Sequence, residues 1–148
     1  MTEELKWATK LNRLVNVCTM HGVKVRFKRG VQDVFSPDDK DIVINSNRTK
    51  EFQLYVLLHE FGHYLIDADP VLQKKFEPVS LVRKHHLLKD QVLILEEEVL
   101  AWHLGELAAD KYWISIGPKF RGLKSKCLKA HIKFLTKVHP KKKEMIEK

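Results

Sequence analysis

His59-Glu60-Phe61-Gly62-His63 places two histidines four residues apart with a glutamate beside the first. On a helix, positions i and i+4 lie on one face, about one turn apart. Two imidazoles at that spacing can reach one Zn²⁺ at roughly 2.0 to 2.1 Å. Glu60 is placed to reach a water rather than the metal, to take its proton and to hand it to a leaving amine. Val56-Leu57-Leu58 precede the motif and Tyr64-Leu65-Ile66 follow it, which predicts a buried helix. Polar groups buried there need partners. The plainer alternative is a surface helix with two ordinary histidines.

A catalytic zinc needs a third protein ligand and one open position. The segment 96–109 opens with Glu96-Glu97-Glu98 and then carries small residues. Glu98, Ala101, Gly105, Ala108 and Ala109 fall along one broad helical face, and small side chains let a second helix approach closely. Glu98 is therefore the expected third ligand, with Glu97 the alternative one residue away. The plain reading of all three acids is a solvated helix N-terminal turn. Asp67, four residues after His63, and Asp69 are further alternatives. His103, within two turns of Glu98, could stand behind the ligands or bind an oxyanion, although a polar helix residue is its default. His85-His86 could line a cleft, with an exposed pair as the default. Tyr55, Tyr64 and Tyr112 could serve as oxyanion donors, but core packing is the safer reading for each.

The elements that must hold these residues can be read along the chain. Thr2-Glu3-Glu4 starts a helix whose apolar face runs from Trp7 to Cys18, and Gly22 stops it. Val23, Val25 and Phe27 alternate with Lys24, Arg26 and Lys28, as in a half-buried strand. Residues 31–35 and 41–45 suggest two more strands around the Ser36-Pro37-Asp38-Asp39 turn. A helix is predicted over 50–66. An irregular stretch covers 67–90, with a short helix near 81–88 or a mobile excursion. A long helix follows over 91–114. A last amphipathic helix spans 121–138, with Leu123, Cys127, Leu128, Ile132 and Leu135 on one face. The expected fold class is α+β, with helices packed on a small antiparallel sheet.

The chain has 148 residues, a prior of one domain over 1–148 with a basic C-terminal helix and tail from about 119. Its 44% hydrophobic and 31% charged content excludes a disordered tail. No apolar run exceeds five residues, far short of the roughly 20 a bilayer span needs. The acidic N-terminus argues against a signal peptide. Cys18 and Cys127 are too few for a zinc ribbon or a disulfide scaffold and suit reduced thiols in a cytoplasm. The net charge of +8 is uneven: residues 118–148 hold eleven Lys or Arg against two Glu. Any electrostatic partner, DNA or an acidic protein, is therefore expected at the C-terminal helix.

Leu57-Leu58-His59-Glu60-Phe61-Gly62-His63-Tyr64-Leu65, followed by Glu98-x-x-Ala101 on a later helix, resembles the ImmA/IrrE group of metallopeptidases. That group is made of glutamate-zincins with a minimal zincin-like core, and the resemblance covers about residues 22–109. It implies that His59, His63 and Glu98 bind one Zn²⁺ and that Glu60 is the base. It also implies cleavage of an intracellular protein, often a helix-turn-helix repressor. The family often shows Ala-Asn-x-Phe shortly after its ligand acid, whereas this chain reads Glu98-Val99-Leu100-Ala101-Trp102. The expected function is a cytoplasmic zinc endopeptidase of a protein or peptide substrate. The alternative is a non-catalytic binding module that docks nucleic acid or an acidic partner through its basic end.

Overall fold

A computed structural model describes residues 2–80 and 87–138. Helix α1 (Glu3–Met20) begins where the Thr2 hydroxyl accepts a hydrogen bond from the Leu5 amide at 3.2 Å. It ends at Met20, and Gly22, with a φ of +77°, lets the chain turn into the sheet. Strands β1 (Lys24–Lys28), β2 (Val34–Ser36) and β3 (Asp41–Asn45) form one sheet in the order β1-β3-β2.

The sheet is mixed, which corrects the antiparallel expectation. β1 runs parallel to β3 with Val25 opposite Ile42, and only β2 runs antiparallel to β3, with Phe35 opposite Ile42. Period-two alternation marks a strand but is silent on its direction. Residues 29–40 are long enough to carry the chain back to the start of a parallel neighbour. They lay β2 on the far side of β3, at the edge of the sheet. Asp33, just before β2, accepts from the Asn45 amide at 2.7 Å and pairs with Arg48, which pins this edge to the start of the next helix.

Helix α2 (Lys50–Ala68) is capped by Thr49 and is the centre of the molecule. α1, the sheet and helix α4 (Leu88–Lys111) all pack on it. Leu54, Tyr55, Leu57, Leu58 and Phe61 are buried with Leu14, Ile42, Ile44 and Trp102 in one apolar core. Helix α3 (Pro70–Ser80) occupies much of the stretch expected to be irregular. Asp69 accepts from the amides of Val71 at 2.9 Å and Leu72 at 3.2 Å, and Pro70 takes the first helical position. This Asp-Pro pair was the legible start signal. Pro78 lies within the helix near its end. The helix expected near 81–88, and His85-His86, fall largely outside the described residues, as does the tail 139–148.

Helix α5 (Lys119–Val138) is held on the core by Phe120 and Leu135, both buried. Its expected apolar stripe needs one correction. Ile132 is half exposed, whereas Leu123, Cys127, His131 and Leu135, spaced by four, form the series toward the core, with Leu135 the most buried.

The crossing of α2 and α4 explains how a site can form. A β-carbon on Gly62 would stand 1.9 Å from the Ala101 carbonyl oxygen, and one on Gly105 would stand 2.5 Å from that of Leu58. The two helices therefore touch backbone to backbone at glycine, as the small-residue face of α4 led us to expect. The contact lies one turn from Glu98 on α4 and beside His59 and His63 on α2.

Candidate metal centre

α2 projects His59 and His63 toward α4, and their Nε2 atoms face each other at 3.2 Å. Glu98 answers from α4 with one carboxylate oxygen 2.8 Å from His59 Nε2 and the other 3.1 Å from His63 Nε2. Among the described residues these three side chains are the one set of His, Cys, Asp or Glu clustered tightly enough to hold a metal ion. Donors on a four-coordinate zinc with bonds of 2.0 to 2.1 Å stand roughly 3.3 Å apart. The observed separations fit such an ion.

The surroundings orient each donor. His59 lies flat against the Trp102 ring, with centroids 4.3 Å apart and planes 10° from parallel. Trp102 is buried, and its Nε1 has no acceptor among the described residues. It therefore serves here as an apolar plane. Trp102 directly follows Ala101, where the resembling family often carries asparagine. His63 turns its other nitrogen, Nδ1, to Glu97 at 3.4 Å. Glu97 thus stands behind His63 while Glu98 takes the front. A carboxylate behind a histidine fixes its tautomer and leaves Nε2 free for a metal.

Electrostatics point the same way. Burial disfavours a charged His63, yet hydrogen bonds to Glu97 and Glu98 raise its pKa to about 10. Burial also works against a charged Glu98, but bonds from His59 and His63 hold its carboxyl well below the usual range. The negative field that favours a proton between these groups also favours a divalent cation. Glu60 is buried beside them, with Oε1 3.6 Å from His59 Nδ1. Burial raises its pKa, only partly offset by His63 and His59. A carboxyl tuned upward suits a group that must both accept and release a proton.

A cleft of about 310 Å³ opens on the site. Phe35 and Pro37 from the edge of the sheet, Ile66 from α2 and Phe76 from α3 supply apolar walls beside Glu60 and His63. Asp67 lines this cleft but is not among the clustered donors; burial raises its pKa, partly offset by Lys40. Asp69 is engaged in capping α3. His103 is exposed on α4 and outside the cluster. The three tyrosines act elsewhere: Tyr55 donates to Glu51 at 2.6 Å, Tyr64 to the His21 carbonyl at 3.4 Å, and Tyr112 meets the His21 ring at 3.0 Å.

Two residues escaped the sequence reading. Trp102 carries no sequence signal beyond its departure from the family pattern. His131 was hidden in the basic helix, although its place between Cys127 and Leu135 in a four-residue series marks a polar ring on the core side. Its Nε2 stands 3.7 Å from Glu98.

Residues 12–106 match the model of a peptidase family, Peptidase_M78, described as the IrrE N-terminal-like domain. The chain belongs to that family. The matched segment runs from within α1 into α4 and holds His59, Glu60, His63, Glu97 and Glu98; α5 follows it. No curated protein and no solved structure gives a significant match to the chain. No helix among the described residues is long and apolar enough to cross a membrane.

Proposed function

We propose that this M78 family member is a zinc-dependent endopeptidase acting on an extended segment of an intracellular protein, in particular a regulator or repressor. The observation that carries the reading is the convergence of His59, His63 and Glu98 with Glu60 buried alongside. In this reading the three donors hold one Zn²⁺. Bound zinc would supply a Lewis acid for the scissile carbonyl and lower the pKa of a water. Glu60 takes a proton from the attacking water as its oxygen bonds to the carbonyl carbon. It delivers that proton to the amine as the carbon–nitrogen bond breaks. The outer edge of β2 offers unpaired backbone groups along the cleft, where an extended peptide can add as a further strand. The two free thiols, Cys18 and Cys127, suit a reducing cytoplasm.

Two measurements test the reading. Protein refolded with zinc should hold about one ion per chain by elemental analysis, as one ligand cluster requires. Glu60→Gln should keep that zinc and lose proteolysis of a candidate repressor, by at least about 100-fold. Equal cleavage by wild type and Glu60→Gln would refute the mechanism.

The binding-module alternative draws on the exposed Lys126, Lys129 and Lys133, which surround the half-exposed Ile132 on α5. Duplex-DNA titration at two salt concentrations tests it. Phosphate contacts would make affinity fall steeply with salt and vanish on neutralising these lysines.

A further inference from the structure

We propose that His131 of α5 is a positioning residue for the metal centre, the donor that holds Oε2 of Glu98 when zinc is bound through Oε1. The proposal rests on the zinc reading above. Glu98 is 15% exposed, and its two oxygens face His59 at 2.8 Å and His63 at 3.1 Å. A histidine that ligates a metal through Nε2 gives its lone pair there and has no Nε2 proton to donate. Zinc binding therefore takes both present partners away from Glu98. A carboxylate that ligates through one oxygen then leaves the other in a largely buried place, where an acceptor without a donor is costly.

His131 is the remaining nitrogen-bearing side chain of the His, Lys or Arg type within 4 Å of Glu98 among the described residues. Its Nε2 lies 3.7 Å from Oε2, a few tenths of an ångström beyond a hydrogen bond. Neutral imidazole with its proton on Nε2 is a sufficient donor, so no change of charge is needed. The helix is anchored on both sides of it. Phe120 packs edge-on against Tyr55 and Trp102, with centroids 5.4 and 5.6 Å away, and Leu135 is buried one turn after His131. The Trp102 ring that touches Phe120 also carries His59. α5, which lies beyond the segment matched by the family, thus bears on two of the three metal donors.

The test uses the full chain with zinc as the probe, in a chelator competition titration. His131→Ala should weaken zinc binding about 10- to 100-fold, the usual cost of losing a group that orients a metal ligand. His131→Gln, which keeps an N–H donor, should recover most of that loss. His131 is 39% exposed, so the far-ultraviolet spectrum and melting of His131→Ala without added metal should match wild type. With Co²⁺ in place of zinc, the visible bands should keep their four-coordinate intensity in His131→Ala, because His131 is not itself a ligand. Wild-type affinity in His131→Ala, no recovery in His131→Gln, or cobalt bands that report a lost ligand would each overturn the proposal. Failure of the wild type to bind zinc would instead remove the zinc reading beneath it.

Discussion

The α2–α4 crossing and the seat of α5 approach the same carboxylate in opposite ways. At the crossing, backbone meets backbone across Gly62 and Gly105, and the donors of the two helices end 2.8 to 3.2 Å apart. α5 is held by large side chains, Phe120 and Leu135, and its histidine stops at 3.7 Å. A glycine contact has no rotamers to adjust, so it determines distance sharply. A contact made through long side chains can shift and repack. The difference suggests a division of labour: the crossing sets which atoms meet, and α5 tunes how firmly they are held.

The largest effect should come from breaking the crossing itself. Gly62→Ala forces a methyl group into the Ala101 backbone, which cannot move aside as a side chain could. A loss of about 3 kcal/mol or more is expected in a denaturant titration, together with loss of tight zinc binding. A fully stable Gly62→Ala protein would show that the helices are not locked by this contact.

Within the crossing, the two neighbouring acids should separate cleanly. Glu98→Ala removes a donor facing both histidines and should weaken zinc by more than 100-fold, whereas Glu97→Ala removes only the support of His63 Nδ1 and should cost about 10-fold. The reverse ranking in a competition titration would move the third ligand by one residue.

The apolar anchor of α5 should respond more gently than the acids of the crossing. Phe120→Leu keeps an apolar anchor and should cost about 1 kcal/mol of stability. Zinc affinity should stay within a few-fold of wild type, because Trp102 still covers His59. A hundredfold loss would place α5 on the same footing as the crossing.

The two cysteines report on the same contrast with the smallest perturbation. Cys18 sits in the rigid core, where burial pushes its thiol up to about 12. Cys127, on α5, is raised by burial and then by the charge of Glu98, but it is only half buried. At pH 8.5 the folded protein should therefore alkylate slowly at Cys127 and not at Cys18, and both should react after unfolding. The sign follows from the shift: a thiol raised toward 12 stays protonated until the pH approaches that value, and the thiolate is the reactive form. Mass spectrometry of the modified peptides reads this directly.

Much of the site was legible because its central part is local. The helical repeat alone puts His59 and His63 on one face with Glu60 beside them, and capping residues such as Thr2 and Thr49 mark where their helices begin. The small residues of α4 announced a close approach, and Gly62 inside the motif supplied its counterpart. Local pattern also overreached: it read α3 as irregular although Asp69-Pro70 was a start signal, and it assigned Ile132 to a buried stripe.

Sequence by itself determined the spacing of the two histidines, the glutamate beside them, the helices that carry them and the α+β class, because each follows from interactions within one turn or one element. Tertiary structure decided the parallel pairing of β1 with β3, the choice of Glu98 at the front and Glu97 behind, the stacking of Trp102 on His59, and the arrival of His131 from α5. These depend on the rotation and depth at which separate elements pack. A shift of one residue on a helix turns a side chain by about 100°, so no local pattern can choose between neighbours that only a partner helix distinguishes.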